Sequence, residues 1–400
     1  MAAPCTQHTA LSTQHSAAVV ITGAGTVSPL GHTVEEVAAR VCRGDGALKP
    51  LAALGFTEIL GATVDIPIDC IPADRRTRIG RLDRLCRLFL TAAYLAVDDA
   101  GLQIGDAEAD RAGLSFGTGL GCLLTNAEYN QKLVEHGPAA ASPRLFAYTV
   151  SSAAAGEVSI ALGIRGPNVT SHAGLAAGLQ AIGYAADLIR LGKADVVLAG
   201  GADVLGEALV RGLADLGLVG ARDGAGAPTS GMTPAEGGAV LVLESEEHAR
   251  RRGAHVRASV RGYAAGFEPT LPHRERVPDG ISNTMRRALA ASGVDAADID
   301  IVIRGAHGGS AGALEAHALR DVFGRAQPVV VAPKAVWGET FGADGALNVA
   351  LASPLLGDTR PQASHRRATR PTAPARRPLA MVHSLCYSGP TVALVLAREE

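Results

Sequence analysis

Gly237 to Glu247 reads G-G-A-V-L-V-L-E-S-E-E, and Gly389 to Glu400 reads G-P-T-V-A-L-V-L-A-R-E-E. Both open on glycine, run through aliphatic residues and close on acids. A short apolar run of this kind, bounded by turn residues, predicts a strand buried on both faces. A second recurrence couples A-D-V-V-L-A-G-G (194–201) with I-D-I-V-I-R-G-A (299–306). Two such echoes predict an internal duplication of an α/β unit, joined near Arg250–Ala254. The halves are then 18–250 and 251–400, behind a disordered tail over 1–17. Strands alternating with helical stretches predict mostly parallel sheets covered on both faces.

Bulk properties narrow the function. The chain has 400 residues, 47% of them hydrophobic and 19% charged, with a formal net charge of -2. That balance argues against nucleic acid or an anionic membrane as the main partner. No apolar run reaches the length of about 18 residues that a spanning helix needs. The polar start, M-A-A-P-C-T-Q-H-T-A-L-S-T-Q-H-S-A, does not resemble a signal peptide. Cys5, Cys42, Cys70, Cys86, Cys122 and Cys386 form no C-x-x-C pair, so no metal or dithiol site is expected. A reduced, cytoplasmic setting fits this usage. G-A-G-T-V-S-P-L-G (23–31) lacks the third glycine of a dinucleotide loop. The Pro- and Arg-rich stretch Asp358 to Pro378 reads as a solvated loop, or as a basic patch that meets an acidic carrier protein.

Other segments fill in the architecture. Val19 to Gly23 is a strand that meets a glycine turn. Leu85, Leu88, Phe89, Ala92 and Ala96 fall at helical spacing in an amphipathic helix that Gly101 ends. L-S-F-G-T-G-L-G (114–121) is a strand running into a turn. Ala176 to Leu191 is a small-residue helix buried on most sides. Just before it lies G-P-N-V-T-S-H-A-G-L-A-A-G (166–178).

In order along the chain, V-I-T-G-x-G-x-V-S-P-L-G, R-L-D-R, D-D-A-G-L, F-G-T-G-L-G, I-R-G-P, A-D-V-V-L-A-G-G-A-D, E-G-G-A-V-L-V-L-E and E-H-A-R-x-R-G-A resemble the β-ketoacyl synthase family of the thiolase-like superfamily. The resemblance runs from about Val19 to Glu399. It implies an α/β, thiolase-like fold of two duplicated halves in a five-layer α-β-α-β-α arrangement, and an obligate dimer. It also implies decarboxylative Claisen condensation. There a cysteine at a helix N-terminus takes an acyl chain from acyl carrier protein, and two histidines serve a malonyl thioester. The helix dipole favours the thiolate, and two backbone N–H groups form an oxyanion hole.

Carried over position by position, these roles are only partly filled. The cysteine of T-A-C-T-S-G falls at Leu175, which has no nucleophilic atom. No cysteine lies between Cys122 and Cys386, so no small shift restores it. Thr170, Ser171 and His172 are near, but a serine nucleophile would need a base beside it. The first family histidine matches His307, ahead of a shortened loop to Glu315. The family lysine matches Lys334. The second histidine is replaced by Glu339, the nearest candidate partner for Lys334 in sequence, although a five-residue spacing does not establish contact. The glycine-aromatic gate G-F-G-G-T becomes Cys386-Tyr387-Ser388-Gly389-Pro390, putting Tyr387 at the acyl gate.

The resemblance is therefore greatest to a catalytically degenerate subunit of the chain-length-factor kind in type II polyketide synthases. Such a subunit forms a heterodimer with an active ketosynthase and bounds its acyl tunnel. The resemblance puts Ser142 to Gly156 at that interface, where Phe146 and Tyr148 would shorten the tunnel and Ser151 to Ala155 would allow close packing. No cofactor of its own is implied, because the phosphopantetheine arm belongs to the partner acyl carrier protein. Leucine at 175, where many such subunits carry glutamine, suggests a divergent branch, for instance one serving polyene-like or other non-aromatic products. The alternative is a stand-alone malonyl-carrier decarboxylase or atypical condensing enzyme using His307 and Lys334.

Overall fold

The computed structural model describes residues 17–73, 76, 79–220, 231–268, 277–306, 308–357 and 377–399. His307, nearly all of the expected N-terminal tail and most of the Pro- and Arg-rich stretch lie outside the described residues.

Ten strands form one sheet system: β1 (Val19–Val27), β2 (Ala112–Gly117), β3 (Asn168–Ser171), β4 (Val196–Asp203), β5 (Gly237–Ser245), β6 (Ala258–Phe267), β7 (Ile301–Ile303), β8 (Val329–Val331), β9 (Leu379–Leu385) and β10 (Pro390–Ala397). The first five lie in the spatial order β3-β2-β4-β5-β1, and the last five in the order β8-β7-β9-β10-β6. These orders are the same when each half is counted from its own first strand. The pairing senses agree too: β2 is parallel to β3 and β4, as β7 is to β8 and β9. The last two pairs of each half are antiparallel. The halves meet through three residue pairs of β1 and β6, Val19–Val260, Val20–Ser259 and Ile21–Ala258. The fold is thus duplicated down to its hydrogen-bond ladders.

Two sequence expectations need correction. The sheets are mixed rather than mostly parallel, with five antiparallel and four parallel neighbour pairs. Double-sided burial makes a strand uniformly apolar whichever way it runs, so apolar character alone does not reveal direction. The echo of 194–201 with 299–306 also joins strands that are not equivalent. The counterpart of β4 is β9, and that of β7 is β2. The echo of 237–247 with 389–400 does join equivalent strands, β5 and β10.

Alternation along each strand divides the side chains between layers. Val392, Leu394 and Leu396 of β10 face a central cluster, while Ala393, Val395 and Ala397 face an outer one. Helices α1 (Arg84–Asp99) and α2 (Ala153–Leu162) cover the first half. Helices α3 (Ala177–Arg190) and α6 (Asp344–Leu356) lie between the sheets. Helices α4 (Asp279–Ser292) and α5 (Gly309–Phe323) cover the second half. The layers run α-β-α-β-α. Asp83 caps α1 by accepting from Cys86 N at 2.8 Å.

Close to the join between halves, the side chain of Glu244 is fully buried. It accepts from Thr22 Oγ1, from Arg252 Nη2 at 2.6 Å and Nε at 2.9 Å, and meets His248 Nδ1 at 2.5 Å. Burial alone would raise its pKa, but the hydrogen bonds from Arg252, His248 and Thr22 outweigh it and hold the carboxyl at about 2. A depressed pKa contributes stability above the unfolded value, and that contribution is lost as pH falls through the folded one. Glu244→Gln is therefore expected to cost about 3 kcal/mol at pH 7. The difference from wild type should shrink between about pH 4.5 and pH 2. Urea titrations across that range check this, and a pH-independent difference would contradict it.

Candidate active site

Strand β3 delivers the chain to the N-terminus of α3, and Leu175 sits in the single 3-10 turn, Gly174–Ala176, that joins them. A backbone entering a helix this way offers free N–H groups and a positive dipole end, the setting in which a thiol becomes a thiolate. Leucine cannot use it. Leu175 is 8% exposed and packs in an apolar cluster with Leu51, Leu205, Val210, Phe341 and Cys386. Gly174 adopts φ +56, and a Cβ there would lie 2.4 Å from Cys386 Sγ, so the thiol presses directly on the turn. Cys386 Sγ lies 3.1 Å from Ser388 Oγ.

Beside this plug lies a buried charge cluster. Lys334 Nζ donates to Glu339 Oε2 at 2.7 Å and lies 3.4 Å from Asp344 Oδ2. The contact that five-residue spacing left open is therefore made. Burial alone would depress the Lys334 pKa, but the charges of Asp344 and Glu339 outweigh it and raise it, so the amine stays protonated. Burial pushes Asp344 up, with Lys334 opposing and Glu339 adding to the rise. The other oxygen of Glu339 accepts from Phe341 N at 3.0 Å. Both oxygens of Glu339 are thus engaged, which leaves it poorly suited to act as a base. Phe341 itself holds φ +53, a left-handed conformation that costs about 1–2 kcal/mol outside glycine. The Glu339 bond and the apolar cluster keep it there.

Two further buried networks surround the site, and the sequence did not point to either. Asp203, at the end of β4, accepts from Thr118 Oγ1 (2.5 Å), Gly119 N (2.8 Å), Leu120 N (3.0 Å) and Gly342 N (2.6 Å). Burial pushes it up to about 6 against those four donors. Glu315 accepts from Gly305 N (2.9 Å), Ala306 N (3.1 Å) and Arg304 Nε (3.0 Å), and meets His383 Nδ1 at 2.6 Å. His383 Nε2 lies 2.8 Å from Thr391 Oγ1. Burial alone would raise the Glu315 pKa, but the His383 hydrogen bond, helped by Arg304, holds it down. This network anchors the backbone immediately before position 307. The available signal was His383 itself, a polar residue in the apolar run L-A-M-V-H-S-L.

Leu175, Cys386, Phe341, Glu339 and Lys334 therefore form one continuous site. Tyr387 stands at its edge, 47% exposed. Phe146 and Tyr148 lie apart from it. Phe146 is 61% exposed with its ring 5.9 Å from that of Tyr129. Tyr148 is half-buried against the outer helices and donates to Glu157 Oε1 at 3.4 Å. Ala154 and Ala155 are buried within the chain, packed under α1 rather than exposed to a partner.

Residues 16–249 match the β-ketoacyl synthase N-terminal domain, and residues 257–359 match the C-terminal domain. The chain belongs to the β-ketoacyl synthase family. It is similar to 3-oxoacyl-[acyl-carrier-protein] synthase 2 of Coxiella burnetii, with 29% identity over 85% of this chain and 86% of that protein. The same enzyme of Staphylococcus aureus (strain N315) is 30% identical over 86% of each chain. Among solved structures, the ishigamide ketosynthase/chain length factor superposes with a TM-score of 0.79 and 27% identity, covering 96% of this chain and 100% of that one. A β-ketoacyl synthase from Burkholderia phymatum gives a TM-score of 0.80 and 26% identity, with the same coverage.

If the plug is a packing unit, Leu175→Ala lowers stability by about 2–4 kcal/mol, and an unchanged Tm would show that it is not. Lys334→Met leaves two buried carboxylates facing each other and should cost at least about 3 kcal/mol. Lys334→Met with Glu339→Leu should recover most of that loss. Equal losses in the single and double variants would deny the pairing.

Proposed function

We propose that this chain is a non-catalytic ketosynthase subunit of the chain-length-factor kind. It pairs with an active, cysteine-bearing ketosynthase and bounds the acyl tunnel in which a carrier-bound polyketide grows. The observation that carries this reading is Leu175, closed into an apolar cluster where an acyl-accepting thiol would stand. The replacement at the second-histidine position is coordinated with it, because Glu339 is consumed by Lys334 and by Phe341 N. The named similarity to a ketosynthase/chain length factor adds support.

A pairing surface is also available. Among the described residues β3 is a sheet edge, bonded only to β2, and unpaired strand edges invite partners. Phe146, Val150 and Ile160, on the segment before it, are all more than half exposed. Exposed apolar residues of this size mark interfaces. On this reading the acyl carrier protein brings the phosphopantetheine arm, this chain needs no cofactor of its own, and the work is done in the cytoplasm. Among the described residues no helix is long and apolar enough to cross a membrane. The burial and double pairing of Lys334 weigh against the alternative in which it joins His307 in decarboxylation.

Incubated with acyl-carrier-protein thioesters, the purified chain is expected to show no acyl adduct by intact mass, and an adduct would sink the proposal. Co-expressed with the ketosynthase of its own gene neighbourhood, Phe146→Ala should lengthen the carrier-bound product. An unchanged product from an intact heterodimer would remove tunnel control. Leu175→Cys alone should not restore condensation, since Glu339 supplies no imidazole, and measurable turnover would refute that.

A further inference from the structure

A series of hydrogen bonds, joined at Phe341–Gly342 and Gly121–Cys122 by the peptide chain, links the buried charge cluster to the segment that carries Phe146 and Tyr148. Lys334 holds Glu339, Glu339 holds Phe341 N, and the next amide, Gly342 N, donates to Asp203. Asp203 in turn holds the turn Thr118-Gly119-Leu120 by three bonds. Gly121 N then donates to Thr118 Oγ1 at 2.9 Å. The neighbouring Cys122 donates from Sγ to Thr149 O at 2.8 Å. Thr149 closes the turn that begins at Phe146, through N to Phe146 O at 3.1 Å and Oγ1 to the same oxygen at 2.8 Å.

The path has little slack. A Cβ at Gly342 would lie 2.3 Å from Gly119 N and 2.8 Å from Asp203 Oδ2, so the two loops touch backbone to backbone. Asp203, Glu339 and Lys334 are all at least nine-tenths buried, so water does not readily replace these bonds. The carboxylate at 203 joins the two halves through its side chain, tying a turn after β2 to the loop before α6. An amide there would face four donors with one acceptor oxygen and two donor hydrogens of its own.

We infer that Asp203 is a positioning residue, fixing Phe146 and Tyr148 through the Thr118–Cys122 turn, with the Lys334–Glu339 pair as the far anchor. The charge cluster then has a structural purpose. The positioning role is independent of the proposed function, and its effect on product length rests on that reading.

Backbone amide exchange on the purified full-length chain tests it. Asp203→Asn is expected to speed exchange about ten-fold over 118–122 and 146–152, as for lost buried hydrogen bonds, while α4, on the far outer layer, stays at wild-type rates. Cys122→Ala cuts only the last link, so 146–152 should loosen while 118–120 stays protected. Loosening by Asp203→Asn that stops at 122 overturns the inference. If Asp203→Asn yields no folded protein, Cys122→Ala decides, and unchanged exchange at 146–152 overturns it. If both variants loosen 146–152 but the heterodimer's product is unaltered, the positioning role stands and the tunnel reading falls.

Discussion

The middle layer of this protein is buried on both faces, and nearly everything else follows from that. Helices α3 and α6 lie between two sheets, so their side chains must be apolar or small, and any charge that enters must bring its partner. Lys334, Glu339 and Asp344 satisfy that demand together. Leu175 satisfies it alone, by being aliphatic at the one turn where the family scaffold would tolerate a reactive thiol. At this helix N-terminus the chain holds a hydrocarbon rather than a charged group.

The same constraint explains why the residues of the site are matched to one another. The buried amine of Lys334 needs a compensating charge, and Glu339 supplies it. The backbone at Phe341, left-handed outside glycine, is retained because Glu339 and the apolar cluster hold it.

Much was legible in the residues. The repeat of 237–247 in 389–400 marks equivalent strands because both are last-but-one in their half-sheets and carry the same double burial. The helix through Leu85, Leu88 and Phe89 is legible because one amphipathic face repeats at 3.6 residues. The leucine at 175 and the glutamate at 339 are legible as residue identities. Strand direction and the true partner of β4 were not, since β4 and β7 share an apolar pattern with a small-residue end while occupying different positions in the sheet. The Asp203 and Glu315 networks were also invisible, because their partners lie up to 139 and 68 residues away.

The sequence by itself determined the class of fold and the absence of a nucleophile at the expected place, because periodic burial and atomic composition are local properties. Only the tertiary structure decided that Leu175 is a plug rather than a gap. The same holds for Glu339, which is spent on Lys334, and for Asp203, which ties both halves together. Those facts depend on which distant groups share a space without water, and chain order does not encode that proximity.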